Sequence, residues 1–273
     1  MKLSIITINL NNAEGLRKTI ESVVSQTFAD YEYIVIDGGS TDGSVDIIKQ
    51  YADRINYWVS EPDRGIYHAM NKGIMQAKGE YCQFLNSGDW IIEPNGLQYI
   101  FDKNPVEDIV YCNAQIGEYI DVYDSQMTLL HFWTGLQLSH QSSFIKKELF
   151  STYGLYNENH KIVSDWEFFL KTLIIGQCSY RHIDFLLVFF DPNGISSDSA
   201  DIDFRAKEGE KVIKDNFPML YEVYLELASL RKELFYLKNE INKYRSSRII
   251  QLIKKVQSSR FYKNLKKLTL INK

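Results

Sequence analysis

Phe84-Leu85-Asn86-Ser87-Gly88-Asp89-Trp90 carries the most informative side chain in the chain, because an apolar run stops there at a small turn that closes on one carboxylate. A strand that delivers an acid to the carboxyl edge of a sheet suits a divalent cation and a diphosphate: hard cations take oxygen ligands, and nucleotides bind at that edge of open α/β sheets. The alternative is an Asx-type turn, which the same residues would also form. Asp37 ends another β-like run and precedes Gly38-Gly39-Ser40-Thr41-Asp42-Gly43. Its carboxylate could accept from a base or ribose, or could serve a tight turn and helix cap. Glu61-Pro62-Asp63-Arg64-Gly65 stands before a helical pattern that holds Asn71 and Lys72, as a second wall of the same edge or as an exposed charged loop. Neither a G-x-G-x-x-G run nor a Walker lysine accompanies these loops, which disfavours dinucleotide and ATP-type phosphate cradles.

Further along stand His140-Gln141 and Ser164-Asp165-Trp166-Glu167. Asp165, just after Val163-Ser164 at a helix start, could take a proton from an incoming hydroxyl, or could simply favour the first helical turn. Trp166 and Phe168 read as core, and a lone His140 as a structural histidine.

The elements that must position these residues alternate. Strands are expected over 3–8, 33–36, 55–59 and 81–85. Helices are expected over 16–24 with Asn11 or Asn12 as cap, from Val45, and over about 67–77. That alternation predicts a parallel sheet covered by helices on both faces. After Pro94 it loosens into a mixed extension, with helices near 97–101 and 165–173 and strands near 109–111, 120–123, 142–145 and 185–190. A linker is expected over 191–203.

From Leu220 to Tyr244, apolar residues recur at alternating spacings of three and four, a seam that needs a partner surface. From Ser246 to Lys273 there are eight Lys or Arg and no Asp or Glu, so the net charge of −4 leaves −12 on everything before. The expected organisation is a catalytic domain over 1–203, a heptad-patterned helical extension over 204–245, and a basic amphipathic tail over 246–273. The tail could lie on anionic lipid or be a solvated end.

At 273 residues, 45% hydrophobic and 14% aromatic, the chain can bury one large core or two small ones. Cys82, Cys112 and Cys178 lie far apart without metal-ligand spacing and read as reduced thiols of a cytoplasmic protein. The first apolar run is too short for a signal sequence, and no run reaches the roughly 18 apolar residues of a spanning helix. No nucleic acid is expected as a partner.

Taken in order, Thr7-Ile8-Asn9, the Asp37 loop, Glu61 to Gly65, Asn71-Lys72-Gly73, Asn86 to Asp89, His140-Gln141 and Ser164 to Glu167 resemble the family 2 inverting glycosyltransferases of GT-A fold, the bacterial envelope or capsular polysaccharide type. The resemblance spans about 3–200 and implies an α/β GT-A fold, a mixed, mainly parallel sheet flanked by helices, with a C-terminal helical extension. It implies that Thr7, Asn9, Asp37 and Asp63 surround the nucleotide of a donor, foremost a UDP-sugar. Arg64 and Lys72 would lie nearby, with Asn86 and Ser87 in the same wall. Asp89 matches the family's metal-binding acid, for Mn²⁺ or Mg²⁺, and Asp165 its catalytic base. Asn86 and Gly88 replace two acids of the frequent Asp-Ser-Asp-Asp pattern, so Asp89 is expected to hold the cation with the diphosphate alone. Asn193-Gly194-Ile195-Ser196 resembles the family's mobile loop over the donor. The implied acceptor is a glycan or a polyprenol-linked glycan, with docking on the cytoplasmic face of the inner membrane through the tail. The seam from Leu220 to Tyr244 could pair with a second subunit as a homodimer or fold back on the catalytic domain. The competing expectation is a catalytically silent sugar-nucleotide binder or a coiled-coil scaffold.

Overall fold

A computed structural model of the chain describes residues 1–121, 126–133, 138–192 and 202–246. The expected loop at Asn193 to Ser196 and the basic stretch after Ser246 lie outside the described residues. The chain divides into two units, Met1–Asn216 and Phe217–Lys273.

The first unit opens with the expected alternation: β1 (Leu3–Asn9), α1 (Ala13–Val24), β2 (Tyr31–Asp37), α2 (Ser44–Gln50), β3 (Tyr57–Ser60), α3 (Ile66–Gln76) and β4 (Tyr81–Phe84). It continues through β5 (Trp90–Ile91), α4 (Gly96–Phe101), β6 (Ile109–Ile116), β7 (Tyr119–Asp121), α5 (Leu129–Trp133), β8 (Ser143–Lys146), α6 (Lys147–Tyr153), α7 (Ser164–Phe169), β9 (Tyr180–Phe190) and α8 (Ile202–Asn216). One sheet runs β3-β2-β1-β4-β8-β6-β9-β5, with β7 on β6. Six of its strands point one way, and β5, β7 and β8 the other. This is the mixed, mainly parallel sheet expected from a parallel first half, a mixed extension after Pro94 and the resemblance.

Leu3, Ile5 and Ile6 of β1 are fully buried, as are Tyr33 to Ile36 of β2, because helices cover both faces of a parallel sheet and its central strands become near-continuous apolar runs. The chain steps from β1 to β2 to β3 on one side, then crosses back to lay β4 on the other side of β1. That reversal opens a crevice at the carboxyl ends of β1 and β4, where α/β sheets bind ligands. The helix expected over 165–173 is α7 followed by a π-helical turn, Leu170–Ile175. α8 belongs to the first unit, which therefore runs past the boundary expected at 203. Val212 and Ile213 are buried, and Glu208 accepts from the amides of Lys161 at 2.8 Å and Ile162 at 3.0 Å.

At the opposite, amino end of the sheet, buried Glu32 accepts from Ser4 Oγ at 2.7 Å, from the Gly79 amide at 3.2 Å and from the Lys78 amide. The chain enters β4 there against β1, so closely that a Cβ on Gly79 would stand 2.5 Å from the Ser4 amide nitrogen and 2.6 Å from the Leu3 carbonyl carbon. Backbone cannot yield as a side chain does. Gly79→Ala is therefore expected to cost about 1–3 kcal/mol by overpacking, read as a lowered urea midpoint with unchanged slope.

Candidate active site

β1, β2 and β3 end level with one another, with Asn9 beside Asp37 and Asp37 beside Ser60 in the registers. Asn9 Nδ2 donates to Asp37 Oδ1 at 2.7 Å and to Ser40 Oγ at 3.1 Å. Asp37 also accepts from Ser40 Oγ at 2.6 Å, Ser60 Oγ at 2.6 Å, the Ser40 amide at 2.9 Å and the Gly39 amide at 3.2 Å. Burial works to raise the Asp37 carboxyl, but these donors outweigh it and hold the group below the usual carboxylate range. Asp37 is a saturated knot that fixes the glycine loop.

Beside this knot lies a cavity of about 500 Å³ whose lining includes Asn9, Asn12, Asp63, Asn86, Ser87, Asp89 and Asp191. Asn12 caps α1 by accepting from the Gly15 amide at 3.0 Å, and its Nδ2 donates to the Ser87 carbonyl at 2.9 Å. Asp63 Oδ1 accepts from the Gly65 amide at 3.0 Å, and Oδ2 lies 2.6 Å from where a Cβ on Gly38 would stand. Only a glycine lets that carboxylate approach.

Asp89 is 3% exposed, and its Oδ1 accepts from the Asp191 amide at 3.0 Å. Its Oδ2 is buried with no hydrogen-bond partner among the described residues, as are Asn9 Oδ1 and Asn86 Oδ1 in the same cavity wall. All three are acceptors, so the site is short of positive charge. Burial pushes the Asp89 carboxyl up to about 7; the Asp191 amide and the Gln141 side chain pull the other way, and the Asp191 charge adds to the rise. Gly88, at φ +107°, makes room for Asp191, whose Oδ2 lies 3.0 Å from a hypothetical Gly88 Cβ. Two carboxylates at one mouth, one with an unpartnered oxygen, fit a hard divalent cation. No cluster of three or more His, Cys, Asp or Glu that could hold a metal ion occurs among the described residues.

Asp165 opens α7 and does not line the cavity; it connects to it through Tyr67 on α3, whose first turn supplies Gly65, Ile66 and Ala69 to the lining. Tyr67 Oη lies 2.6 Å from the Ile162 carbonyl and 2.8 Å from Asp165 Oδ1. One hydroxyl proton faces two acceptors. Burial first, then the Asp165 charge, keeps Tyr67 protonated well above ordinary phenol.

The other expected residues stand further off. Thr7 is buried against the Tyr33 hydroxyl at 3.0 Å. Arg64 meets Glu158 at 2.6 Å, and Lys72 meets Glu61 at 2.8 Å. Neither basic residue lines the cavity. His140 is the structural histidine expected: it stacks on Phe84 at 4.6 Å, lies 2.7 Å from Tyr156 Oη, and is kept neutral by burial against the pull of Asp165. Asn12, Tyr67 and Asp191 are the functional candidates absent from the sequence-based set. The signal for Asp191 was present, since it ends the apolar run of β9 as Asp89 follows that of β4.

The sequence profile of glycosyl transferase family 2 matches residues 4–152. An uncharacterized glycosyltransferase of Mycobacterium tuberculosis is 34% identical over 203 residues, 71% of this chain and 77% of that one. The chain belongs to glycosyl transferase family 2. Its fold is the GT-A fold, shared with S. aureus TarS 1–349 in complex with UDP-GlcNAc (TM-score 0.64, 21% identity, covering 78% of this chain and 67% of that one). The chain spans 38% of full-length TarS. The mannosyltransferase PcManGT of Pyrobaculum calidifontis, in complex with GDP-Man and Mn²⁺, matches at TM-score 0.62 and 15% identity, over 97% of this chain and 82% of that one.

The family 2 site makes a pH-dependent prediction through Asp89. The unfolded chain ionises it near 3.8 and the folded chain near 7, so the folded state holds the proton more tightly and loses stability as pH rises through that interval. In cation-free buffer Asp89→Asn removes this loss. The variant should gain on the parent between pH 5 and pH 8 by on the order of a few kcal/mol in urea denaturation. A difference that does not change with pH would count against a buried ionisable Asp89.

Proposed function

We propose that this family 2 glycosyltransferase moves a sugar from a nucleoside-diphosphate donor to an acceptor hydroxyl with inversion at the anomeric carbon. The observation that carries the reading is the buried Asp89 carboxylate, with Oδ2 unpartnered beside Asp191 at the carboxyl edge of the sheet. A divalent cation held by these two acids would neutralise the leaving diphosphate as a Lewis acid. Mn²⁺ or Mg²⁺ suits the oxygen set, and PcManGT holds Mn²⁺ with its donor. A UDP-sugar is the foremost donor, as in the TarS complex, and a GDP-sugar the next.

In this reading Asn9, Asp63, Asn86 and Ser87 face the donor, while Thr7 and Asp37 fix the strand ends beneath them. Arg64 and Lys72 lie outside the cavity lining, in ion pairs with Glu158 and Glu61. Asp165 takes the acceptor hydroxyl proton as the carbon–oxygen bond to the diphosphate breaks on the opposite face of the sugar. The acceptor is a glycan or polyprenol-linked glycan of cell-surface polysaccharide synthesis. No helix among the described residues is long and apolar enough to cross a membrane, so such an acceptor would be met through the basic sequence after Ser246 at the cytoplasmic face of the inner membrane.

Asp165→Asn is expected to lower transfer at least about a hundredfold while donor affinity, measured with Mn²⁺, stays within about twofold. Undiminished transfer would remove Asp165 as the base. Flotation with phosphatidylglycerol vesicles should carry the full chain but not one ending at Arg245, each near-surface Lys or Arg adding about 1 kcal/mol at best. Equal partitioning of the two would remove the membrane claim.

A further inference from the structure

The second unit begins with a short 3-10 turn, Pro218–Leu220, and continues as α9 (Tyr221–Ser246). Its 26 residues make a rod of about 39 Å. Val223, Leu227, Leu230, Leu234, Leu237 and Ile241 recur along it at spacings of four and three, the repeat that keeps one apolar seam facing a partner helix. In the single chain, Val223, Leu230, Leu234, Leu237 and Ile241 are 47–53% exposed. Leu227, in the same seam, is half-buried.

The charges beside the seam say what covers it. Glu226, Glu233 and Glu240 each stand one residue before Leu227, Leu234 and Ile241, along one edge. Arg231 and Lys238 each stand one residue after Leu230 and Leu237, along the other edge, and the sequence repeats this with Arg245 after Tyr244. When two such helices lie parallel and in register, the acidic edge of one runs beside the basic edge of the other, and each acid faces the base five positions later in the partner. Glu226 then meets Arg231 of the second copy, Glu233 meets Lys238, and both pairs recur by the two-fold symmetry. Glu240 also meets Lys243 of its own helix at 3.1 Å, and Arg231 too has an interaction within the single chain, so these side chains exchange partners on association. In an antiparallel pair, acid edge meets acid edge and base meets base, which is repulsive at every step. A parallel pair slipped by one heptad keeps the signs but loses a layer of apolar contact and a set of ion pairs.

We infer that α9 is a self-recognition surface: two copies of this chain pair along it as a parallel, in-register, two-stranded coiled coil. Leu230 and Leu237 with Ile241 follow the two-strand pattern, Leu227 and Leu234 at the alternate positions add no preference of their own, and no polar residue interrupts the seam from Val223 to Ile241. Phe235 and Tyr236 lie outside the seam and take no part in this pairing. The pairing is independent of the sugar-transfer reading above.

Sedimentation equilibrium of the full chain should give twice the chain mass of 31.8 kDa. The triple variant Glu226→Lys, Glu233→Lys, Glu240→Lys makes both edges basic, and Arg231→Glu, Lys238→Glu, Arg245→Glu makes both acidic. Each variant alone should dissociate at least about tenfold more readily than the parent, and an equimolar mixture of the two should recover the dimer mass. Retained donor binding by both variants would show that the catalytic unit is folded. Direction is read separately with Val223→Cys, which should be oxidised to a covalent dimer that the parent does not form, because only a parallel pair sets residue 223 against itself. A parent that sediments at 31.8 kDa, a trimeric mass, charge variants that dimerise like the parent, or an unlinked Val223→Cys dimer would each overturn the inference.

Discussion

A carboxylate cannot stay ionised in a dry site without a counter-charge, and at the mouth of this sheet that constraint falls on Asp89. β4 carries the chain to the crevice, the Gly88 turn brings Asp89 into it, and the amide of Asp191 satisfies only one of the two oxygens. What remains is Oδ2, with no hydrogen-bond partner among the described residues, on a carboxylate that the Gln141 side chain favours only in part against its burial. The crevice, the second acid and the open cavity are the features on which the proposed cation site rests.

The contrast with Asp37 is instructive, since both acids sit at the same edge of the same sheet and both are buried. Asp37 is surrounded by hydroxyls and amides that hold it ionised; Asp89 is deprived of them and holds its proton to about neutrality. Burial is common to the two, and the donor count decides their opposite behaviour. One therefore builds the site and the other is left to react to what enters it. Asp165 stands in a third condition, with a single tyrosine proton shared between it and a backbone carbonyl.

The parallel half of the fold was legible in the sequence because its strands are apolar runs bounded by turn residues, and the acids that end them follow directly. Asn12 as the cap of α1 and Asp89 in the crevice were within reach of that reasoning. β5 and α6 were not: two residues of strand carry no period, and the pattern of α6 is too short to separate from a loop. α8 was hidden for a different reason, since its place in the first unit depends on Glu208 accepting two distant amides, a contact no local pattern records. Tyr67 looked like one more apolar position of α3, because the acceptors that give its hydroxyl a role lie 95 and 98 residues away. Asp191 was overlooked because glycine and proline beside it drew it into a presumed linker.

The 102 residues between Asp89 and Asp191 also set a timetable for the nascent chain. During synthesis, β1 to β4 are complete long before β9 exists, so Asp89 first meets water as an ordinary exposed acid. It becomes a buried group only when the last strand of the sheet docks and the Asp191 amide closes over it. The stretch that carries the family profile, residues 4–152, ends before both Asp165 and Asp191. The emerging protein thus holds the β1 and β4 ends of its cavity wall before the segment that carries Asp191 exists.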